Sequence, residues 1–220
     1  MRRFPLLFVL GVCLLGRTAL AAPNNGYIGV FGDAAGTNCC ITLNSGGNGF
    51  VYVYAVTAGA SAAGFTAAEF KVSVEPSLAG ATFDWTPAAG ATSTGTVFDN
   101  GSGGGAAVSF SSCQTQTGLA GDKILLGSVH VKQLTGQRQL VVRAHDTPAN
   151  STFQCPSVVL CDAPTYTQVC LTLQKGDSAL GGEDPVAFIS AVNSPSCSGA
   201  SCGFVAVDAA SWSAIKDLYR

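Results

Sequence analysis

The segment Ala68–Glu75 alternates strictly between apolar and polar residues, and it constrains the fold more than any other part of the chain. Its apolar positions are Phe70, Val72 and Val74, and the positions between them carry charges or a hydroxyl. Such alternation predicts a β-strand with one face in a hydrophobic core and the other in water. The chain is therefore expected to build its core from sheets.

Short apolar runs recur along the chain between turn-forming clusters, including the glycine-rich turns Asn44–Gly49 and Asn100–Gly105. Glycine accepts positive φ and resists continuing a strand. This spacing is typical of an antiparallel β-sandwich, and Phe50–Val56, apolar on both sides, is expected to be a central strand covered on both faces. The predicted strands are Tyr27–Phe31, Cys39–Leu43, Phe50–Val56, Ala68–Glu75, Ala81–Trp85, Ala106–Ser111, Ile124–Lys132, Gln139–His145, Gln168–Leu173 and Val186–Val192.

Ile124–His145 is predicted to form a hairpin around Thr135-Gly136. In the register that places every apolar pair inward, the directly opposed residues are Leu134 and Gln137, Val131 and Leu140, and Val129 and Val142. That register places His130 and Arg143 on the outer face.

The N-terminus has the features of a cleaved secretory signal peptide. Arg2 and Arg3 precede the apolar run Phe4–Gly16, and Ala19-Leu20-Ala21 supplies the small residues of a cleavage site, after Ala21 or Ala22. No later stretch approaches the roughly 20 apolar residues that span a bilayer, so we expect no transmembrane segment. The predicted organisation is a signal peptide over 1–21, a sandwich domain over 22–192, and a cysteine-containing loop with a helical tail over 193–220.

The exported chain is expected to be acidic. Three of the 11 basic residues lie in the leader and all 13 acids lie beyond it, so 8 bases and 13 acids leave a net charge of −5. No cluster of lysine or arginine is present. Nucleic-acid binding is therefore not expected, because it depends on basic contacts to phosphate.

Eight cysteines follow the leader, and an even number in an oxidising compartment predicts disulfides. Zinc is disfavoured because the chain has no Cys-x2-Cys spacing. Cys197 and Cys202 are predicted to form a local pair, whereas Cys39 and Cys40, as strand neighbours, should bond to two different partners. The disulfide candidates are Cys39, Cys40, Cys113, Cys155, Cys161, Cys170, Cys197 and Cys202.

No residue is predicted to be catalytic, and no cofactor or metal is predicted. The hairpin register separates His130 from His145 by about 13 Å, too far for one metal ion. Gly176-Asp177-Ser178 resembles the start of an esterase motif but lies late in the chain, where a turn is expected. Calcium binding is left open. Asp99-Asn100-Gly101 contains a fragment of a calcium-loop pattern, and Asp177 could converge with Glu183 and Asp184, but neither set completes a recognised calcium loop.

The chain ends in DAASWSAIKDLYR, which predicts a short helix with Trp212, Ile215 and Tyr219 on one face.

Five segments carry a resemblance to a known family: GYIGVFGDAAGTNC, AAEFKVSV, LLGSVHVKQL, QLVVRAH and SWSAIKDLYR. From Gly26 to about Leu173 the chain resembles the cohesin-like, immunoglobulin-like β-sandwiches of exported bacterial proteins, and its end resembles a C-terminal tail found in some of them. The resemblance implies an all-β, antiparallel two-sheet sandwich with a short C-terminal helix. Cohesins bind dockerin modules and generally lack disulfides, which is where this chain departs from them.

These features favour a secreted, non-enzymatic module for extracellular attachment, adhesion or protein–protein interaction. The alternative is an extracellular carbohydrate-binding module, which needs an exposed row of aromatic rings. For such a row the chain offers Trp85 and Trp212, and Tyr52 and Tyr54 lie in a strand that is expected to be buried. A more remote alternative is a secreted hydrolase that uses Ser178 or His145.

Overall fold

A computed structural model describes residues 25–119, 121–147, 155–171 and 187–191. These residues form thirteen β-strands and one short 3-10 helix, Gly59–Ala63, so the prediction of an all-β fold is confirmed. The strands are β1 (Gly26–Phe31), β2 (Cys40–Thr42), β3 (Gly49–Thr57), β4 (Phe65–Glu75), β5 (Thr82–Pro87), β6 (Ala91–Thr96), β7 (Phe98–Asp99), β8 (Gly105–Gln114), β9 (Lys123–Lys132), β10 (Gln137–Arg143), β11 (Ser157–Leu160), β12 (Gln168–Cys170) and β13 (Ala187–Ser190).

The smaller of the two sheets has four antiparallel strands in the order β1-β3-β9-β5. Strand β3 lies between β1 and β9, with Tyr52 opposite both Phe31 and Ser128. Its inward residues Val51 and Val53 are fully buried in the main core. The outward residue Tyr54 is also buried, so β3 is covered on both faces over most of its length, as predicted.

The larger sheet is organised around β4. One path through it runs β12-β11-β4-β10-β13-β2, and β7 and β8 also pair with β4, while β6 pairs with β8. The first half of β4 pairs with both β8 and β11, and its second half pairs with β10 and β7. Most of these pairs are antiparallel, but β7 with β4 and β13 with β2 are parallel.

The inward face of β4 agrees with the prediction, and its outward face does not. Phe70, Val72 and Val74 are buried in the core between the two sheets. However, Glu69 and Lys71 on the opposite face are buried as well, although a wet face was predicted. Neighbouring strands and loops cover this face, and they supply polar partners for its charged side chains.

The predicted hairpin Ile124–His145 is wrong. Strand β9 pairs with β3 and β5 in the four-stranded sheet, whereas β10 pairs with β4 and β13 in the larger sheet. The turn between them carries the chain from one sheet to the other, with Gln133 at a φ of 57° and Leu134 buried. The residues predicted to point inward nevertheless do so: Val129, Val131, Leu140 and Val142 are all buried.

Three strands were missed by the sequence analysis, namely β6, β7 and β11. Strand β6 reads ATSTGT and has no apolar alternation, and β7 has only two residues. Strand β11, SVVL, is a short apolar run just before Cys161 that could have been recognised.

No helix in the described part of the chain is long and apolar enough to cross a membrane. The predicted signal peptide and C-terminal helix lie outside the described residues.

Candidate functional site

The two histidines lie in different sheets and are not brought together as a pair on one hairpin. His130 is on β9 of the four-stranded sheet, opposite Phe50 and Asp84 rather than Val141 as predicted. His145 follows β10 of the larger sheet, where its Nδ1 accepts a hydrogen bond from the Thr147 N–H at 3.0 Å. Each histidine therefore has its own set of neighbours.

A charge cluster lies beside His145, on the outer face of β4. The Lys71 ammonium is 2.6 Å from Asp146 Oδ1 and 3.3 Å from Asp99 Oδ2. The side chains of Lys71 and Asp99 are only 10% and 12% exposed, whereas that of Asp146 is 42% exposed. Residues 71, 99 and 146 come from a strand, a short neighbouring strand and a loop, so one ammonium ties three separate segments together.

Backbone groups hold both carboxylates of this cluster in place. Asp99 Oδ1 accepts hydrogen bonds from the N–H groups of Gly101 and Gly103, at 2.8 and 2.7 Å. The Gly104 N–H donates to Asp146 Oδ2. These glycines have positive φ angles, which the tight loop requires. The loop is thus shaped around two carboxylates that face one ammonium.

The ionisation of the cluster follows from these contacts. Burial opposes ionisation of Asp99, but the hydrogen bonds from Gly103 and Gly101 and the Lys71 ammonium outweigh it, so its pKa is lowered. The Lys71 hydrogen bond lowers the pKa of Asp146. Burial alone would lower the pKa of Lys71, yet the two carboxylates raise it. All three groups are therefore charged at neutral pH.

This cluster bears on the calcium site that the sequence left open. Asp99, the first residue of the partial calcium loop, has its carboxylate occupied by an ammonium and two N–H donors. The Asn100 amide is also engaged, because it donates to the Leu78 carbonyl and accepts from the Leu78 N–H at 2.5 and 2.7 Å. Among the described residues no group of three or more potential metal ligands comes together. Asp177, Ser178, Glu183 and Asp184 lie outside the described part of the chain.

The remaining charged side chains on the outer face of β4 also have polar neighbours. Arg143 Nη2 donates to Glu75 Oε1 at 2.8 Å. Gln168 on β12 lies 3.5 Å from Glu69 and donates to Ser157 Oγ at 2.7 Å. The outer face of β4 is thus a polar surface that is buried at Glu69 and Lys71 and half-exposed at Glu75, and its polar neighbours explain how charges in a central strand are tolerated.

Aromatic residues cover the outer face of the four-stranded sheet. At one end Tyr27, Phe31, Tyr54 and Val56 form a second, smaller buried cluster. Near this cluster is an open cavity of about 450 Å³, lined by Tyr54, Lys123 and parts of two loops. Its polar groups are already bonded, because the Tyr54 hydroxyl donates to the Ala34 carbonyl at 2.6 Å and Lys123 Nζ donates to the Gly36 carbonyl at 2.5 Å.

The other end of this face is open to solvent. Phe50 is 54% exposed, and its ring stacks on His130 with the centroids 4.7 Å apart and the planes 14° from parallel. Asp84 lies next to His130 in the same row, and its carboxylate is 2.5 Å from Lys132 Nζ. We define Phe50, His130, Asp84 and Lys132 as the stacked patch. Sequence reasoning missed it because Phe50 and His130 are 80 residues apart.

Trp85, weighed in the sequence analysis as part of a sugar-binding row, does not belong to this patch. Its ring packs edge-on against Phe70, at a centroid distance of 6.5 Å. Tyr54 is buried, and Trp212 lies outside the described residues. The aromatic side chains that stand out as exposed in the described regions are Phe50 and Tyr166.

Two disulfides join described residues, Cys113 to Cys161 and Cys155 to Cys170, and in both the Cα atoms are 5.7 Å apart. The first links β8 to the end of β11, the two strands that flank the start of β4. Gly64 leaves room for it, because a Cβ there would lie 2.7 Å from Cys113 Sγ. Cys39 and Cys40 are also disulfide-bonded. Cys197 and Cys202 lie outside the described residues.

No family model matches the chain, and no curated protein sequence matches it. Among solved structures, it is similar to the sixth cohesin of scaffoldin B from Acetivibrio cellulolyticus, solved in complex with a dockerin. The identity is 11%, with 77% of this chain and 100% of that chain covered and a TM-score of 0.42. A second match, the third cohesin of ScaC from the same organism in complex with the ScaB dockerin, has 13% identity, coverage of 53% and 78%, and a TM-score of 0.29. Both structures are of cohesin domains.

Proposed function

We propose that this chain is an exported, non-catalytic β-sandwich that attaches to another extracellular protein through the outer face of its four-stranded sheet. The leader predicted over residues 1–21 directs the export, and the disulfides suit an oxidising compartment. The single observation that carries the proposal is the stacked patch.

The stacked patch combines the features of a binding hot spot. An aromatic side chain gives a large contact area at a small entropic cost, and Phe50 is held flat by His130 before any partner arrives. The Asp84–Lys132 pair gives the patch a polar rim that can select a partner by charge. Because the patch stands on paired strands rather than on a loop, its geometry is rigid.

The charged groups of the described regions suit this function better than catalysis. Lys71, Asp99 and Asp146 are bound to one another, and Asp122 is held by hydrogen bonds from Thr117. Such groups stabilise loops. Carbohydrate binding is the competing function, since the exposed face of one aromatic ring could also stack on a sugar.

A capture experiment tests the proposal. The mature chain is immobilised and exposed to the surface proteins of the cells that produce it, and retained proteins are identified by mass spectrometry. Phe50→Ser should lose the retained protein at least about tenfold, because truncating a hot-spot aromatic costs about 2 kcal/mol or more. The matched control is Leu119→Ser, which removes a 66% exposed side chain from a loop outside the stacked patch and should leave capture unchanged.

Equal capture by the wild type and Phe50→Ser would contradict the proposal. Binding of the wild type to a glycan array, lost in Phe50→Ser but not in Leu119→Ser, would replace protein attachment by carbohydrate binding. Thermal melts of both variants should match that of the wild type, because both changed side chains are exposed.

A further inference from the structure

The open cavity of about 450 Å³ beside Tyr54 lies between two loops on the outer face of the four-stranded sheet. One loop follows β1, and the other joins β8 to β9. The loops supply Ala35, Gln116 and Asp122 to the lining, and the sheet supplies Tyr54 and Lys123. The volume falls within the range of small-molecule sites.

Both loops are held in shape by a carboxylate of their own. In the first loop, Asp33 accepts hydrogen bonds from the N–H and the hydroxyl of Thr37, both at 3.0 Å. In the second loop, Asp122 accepts hydrogen bonds from the N–H and the hydroxyl of Thr117, both at 2.6 Å. The cavity is therefore formed before a ligand arrives, and a ligand that enters it does not have to order the loops.

The polar side chains that line the cavity keep hydrogen-bonding capacity after their contacts within the chain. The Lys123 ammonium has three N–H groups, of which one donates to the Gly36 carbonyl at 2.5 Å. Gln116 donates its amide N–H to the Lys123 carbonyl at 2.5 Å, and its amide oxygen is a further acceptor. The Tyr54 hydroxyl donates to the Ala34 carbonyl, so its oxygen can still accept. The cavity thus offers both donors and acceptors to a ligand.

The charges of the lining decide which class of ligand fits. One ammonium, Lys123, and one carboxylate, Asp122, line the cavity, so an anion is repelled by the carboxylate and a cation by the ammonium. An apolar ligand would displace water from the donors and acceptors without replacing its hydrogen bonds. A neutral ligand with several hydroxyl groups bonds to both kinds of group, because each hydroxyl both donates and accepts. We propose that the cavity binds a neutral sugar residue.

Nuclear magnetic resonance titration of the mature, disulfide-bonded chain tests this proposal. The probes are glucose, galactose, mannose and N-acetylglucosamine, each added separately to the nitrogen-15-labelled protein. At least one of them should shift the backbone amide signals of Ala35, Gly121 and Asp122 in a saturable way. The uronic acid and the amino sugar with the same ring should bind more weakly than that neutral sugar, because each brings a charge that Asp122 or Lys123 repels.

Two variants locate the binding in the cavity. Ala35→Leu fills the cavity and removes no hydrogen bond, because Ala35 bonds to Asp33 through its backbone N–H, so the saturable shifts should disappear. The matched control is Ala89→Leu, which adds the same side chain to the exposed turn between β5 and β6 and should leave binding unchanged. Lys123→Met keeps the apolar stem but removes the ammonium, and it should weaken binding at least about tenfold.

The absence of saturable shifts with all four neutral sugars would overturn the proposal, as would shifts that persist in Ala35→Leu. Tighter binding of the uronic acid or the amino sugar would overturn the assignment to a neutral ligand. Phe50→Ser should bind the sugar like the wild type, because Phe50 does not line the cavity. Sugar binding at the cavity and protein attachment through the stacked patch can therefore each fail without the other.

Discussion

Replacing Lys71 by Met tests the most tightly built part of the molecule. Met keeps most of the length and apolar stem of Lys but removes the ammonium that faces Asp99 and Asp146. Asp99 is 12% exposed, so its carboxylate would remain largely buried without its cation. Removing one partner of a buried ion pair costs about 3–5 kcal/mol.

The structure reduces this cost in two ways. Asp146 is 42% exposed and can regain water, and Asp99 keeps its hydrogen bonds from Gly101 and Gly103. We therefore expect Lys71→Met to lower the free energy of unfolding by about 2–4 kcal/mol. Urea denaturation at pH 7, followed by tryptophan fluorescence, measures this difference.

Two further variants separate the burial of charge from general damage. In Lys71→Met/Asp99→Asn the buried carboxylate that has lost its cation is replaced by a neutral amide. The double variant should therefore be more stable than Lys71→Met alone. Lys132→Met removes the cation of an exposed pair and should have little effect, because exposed pairs contribute little. A loss below about 1 kcal/mol for Lys71→Met would refute the argument that the cluster is buried and mutually dependent.

The pH dependence of this difference has a definite sign. Asp99 and Asp146 have lowered pKa values in the folded chain, so their contribution is complete above the ordinary carboxyl pKa of about 4 and is lost as the pH falls further. Lys71 has a raised pKa, so its contribution is complete below the ordinary amine pKa of about 10.4 and is lost as the pH rises through the folded-state value. The difference between the wild type and Lys71→Met should therefore be flat near neutral pH and shrink at both extremes.

Three other outcomes are expected. Phe70→Ala should lower the free energy of unfolding by about 3–5 kcal/mol, because Phe70 is fully buried, whereas Phe50→Ala at the exposed position should be close to neutral in the same denaturation assay. Peptide mapping without reduction should recover Cys113 linked to Cys161 and Cys155 linked to Cys170. Cys39 and Cys40 should each be linked to one of Cys197 and Cys202. A peptide that links Cys197 to Cys202 would contradict this pairing. Deleting Ser211–Arg220 should leave the melting temperature unchanged if the tail is an attachment signal, and a large drop measured by calorimetry would show that it packs on the sandwich instead.

The inward faces of the strands could be predicted because alternation is a local property. Val129, Val131, Leu140 and Val142 are buried although the hairpin that was predicted to pair them does not exist. The identity of a pairing partner is not local. Leu134 donates its N–H to the Gly47 carbonyl at 3.1 Å, so a contact 87 residues away in sequence fixes the turn that separates β9 from β10.

The two clusters of functional interest were beyond sequence reasoning for the same reason. Lys71, Asp99 and Asp146 are spread over 75 residues, and nothing in the sequence indicates that the three meet, although Asp99 stood out as part of a partial calcium loop. Period-two alternation also predicted a wet face for β4. The prediction failed because β4 is paired on both sides and overlaid by loops, so both of its faces are buried. Charged side chains are tolerated on such a face only where polar partners lie within bonding distance.

The two described disulfides bear on two expectations from the sequence: that Cys39 and Cys40 bond to different partners, and that Cys197 bonds to Cys202. Cys113, Cys161, Cys155 and Cys170 bond among themselves, so Cys39 and Cys40 must find partners elsewhere. If they bond to different residues, both Cys197 and Cys202 are used, and the local Cys197–Cys202 bridge cannot form.

Strand pairing favours the expectation that Cys39 and Cys40 bond to two different partners. Cys40 lies beside Phe188 in the parallel pair of β2 and β13, so the chain leaves the described region at Ala191 about 10 Å further along from Cys40. Cys197 is the sixth residue after Ala191, and six residues reach at most about 20 Å. The chain beyond Ala191 is therefore long enough for Cys197 to reach back to Cys40. A local Cys197–Cys202 bridge would instead leave Cys39 and Cys40 with only each other, although the two are neighbours in sequence.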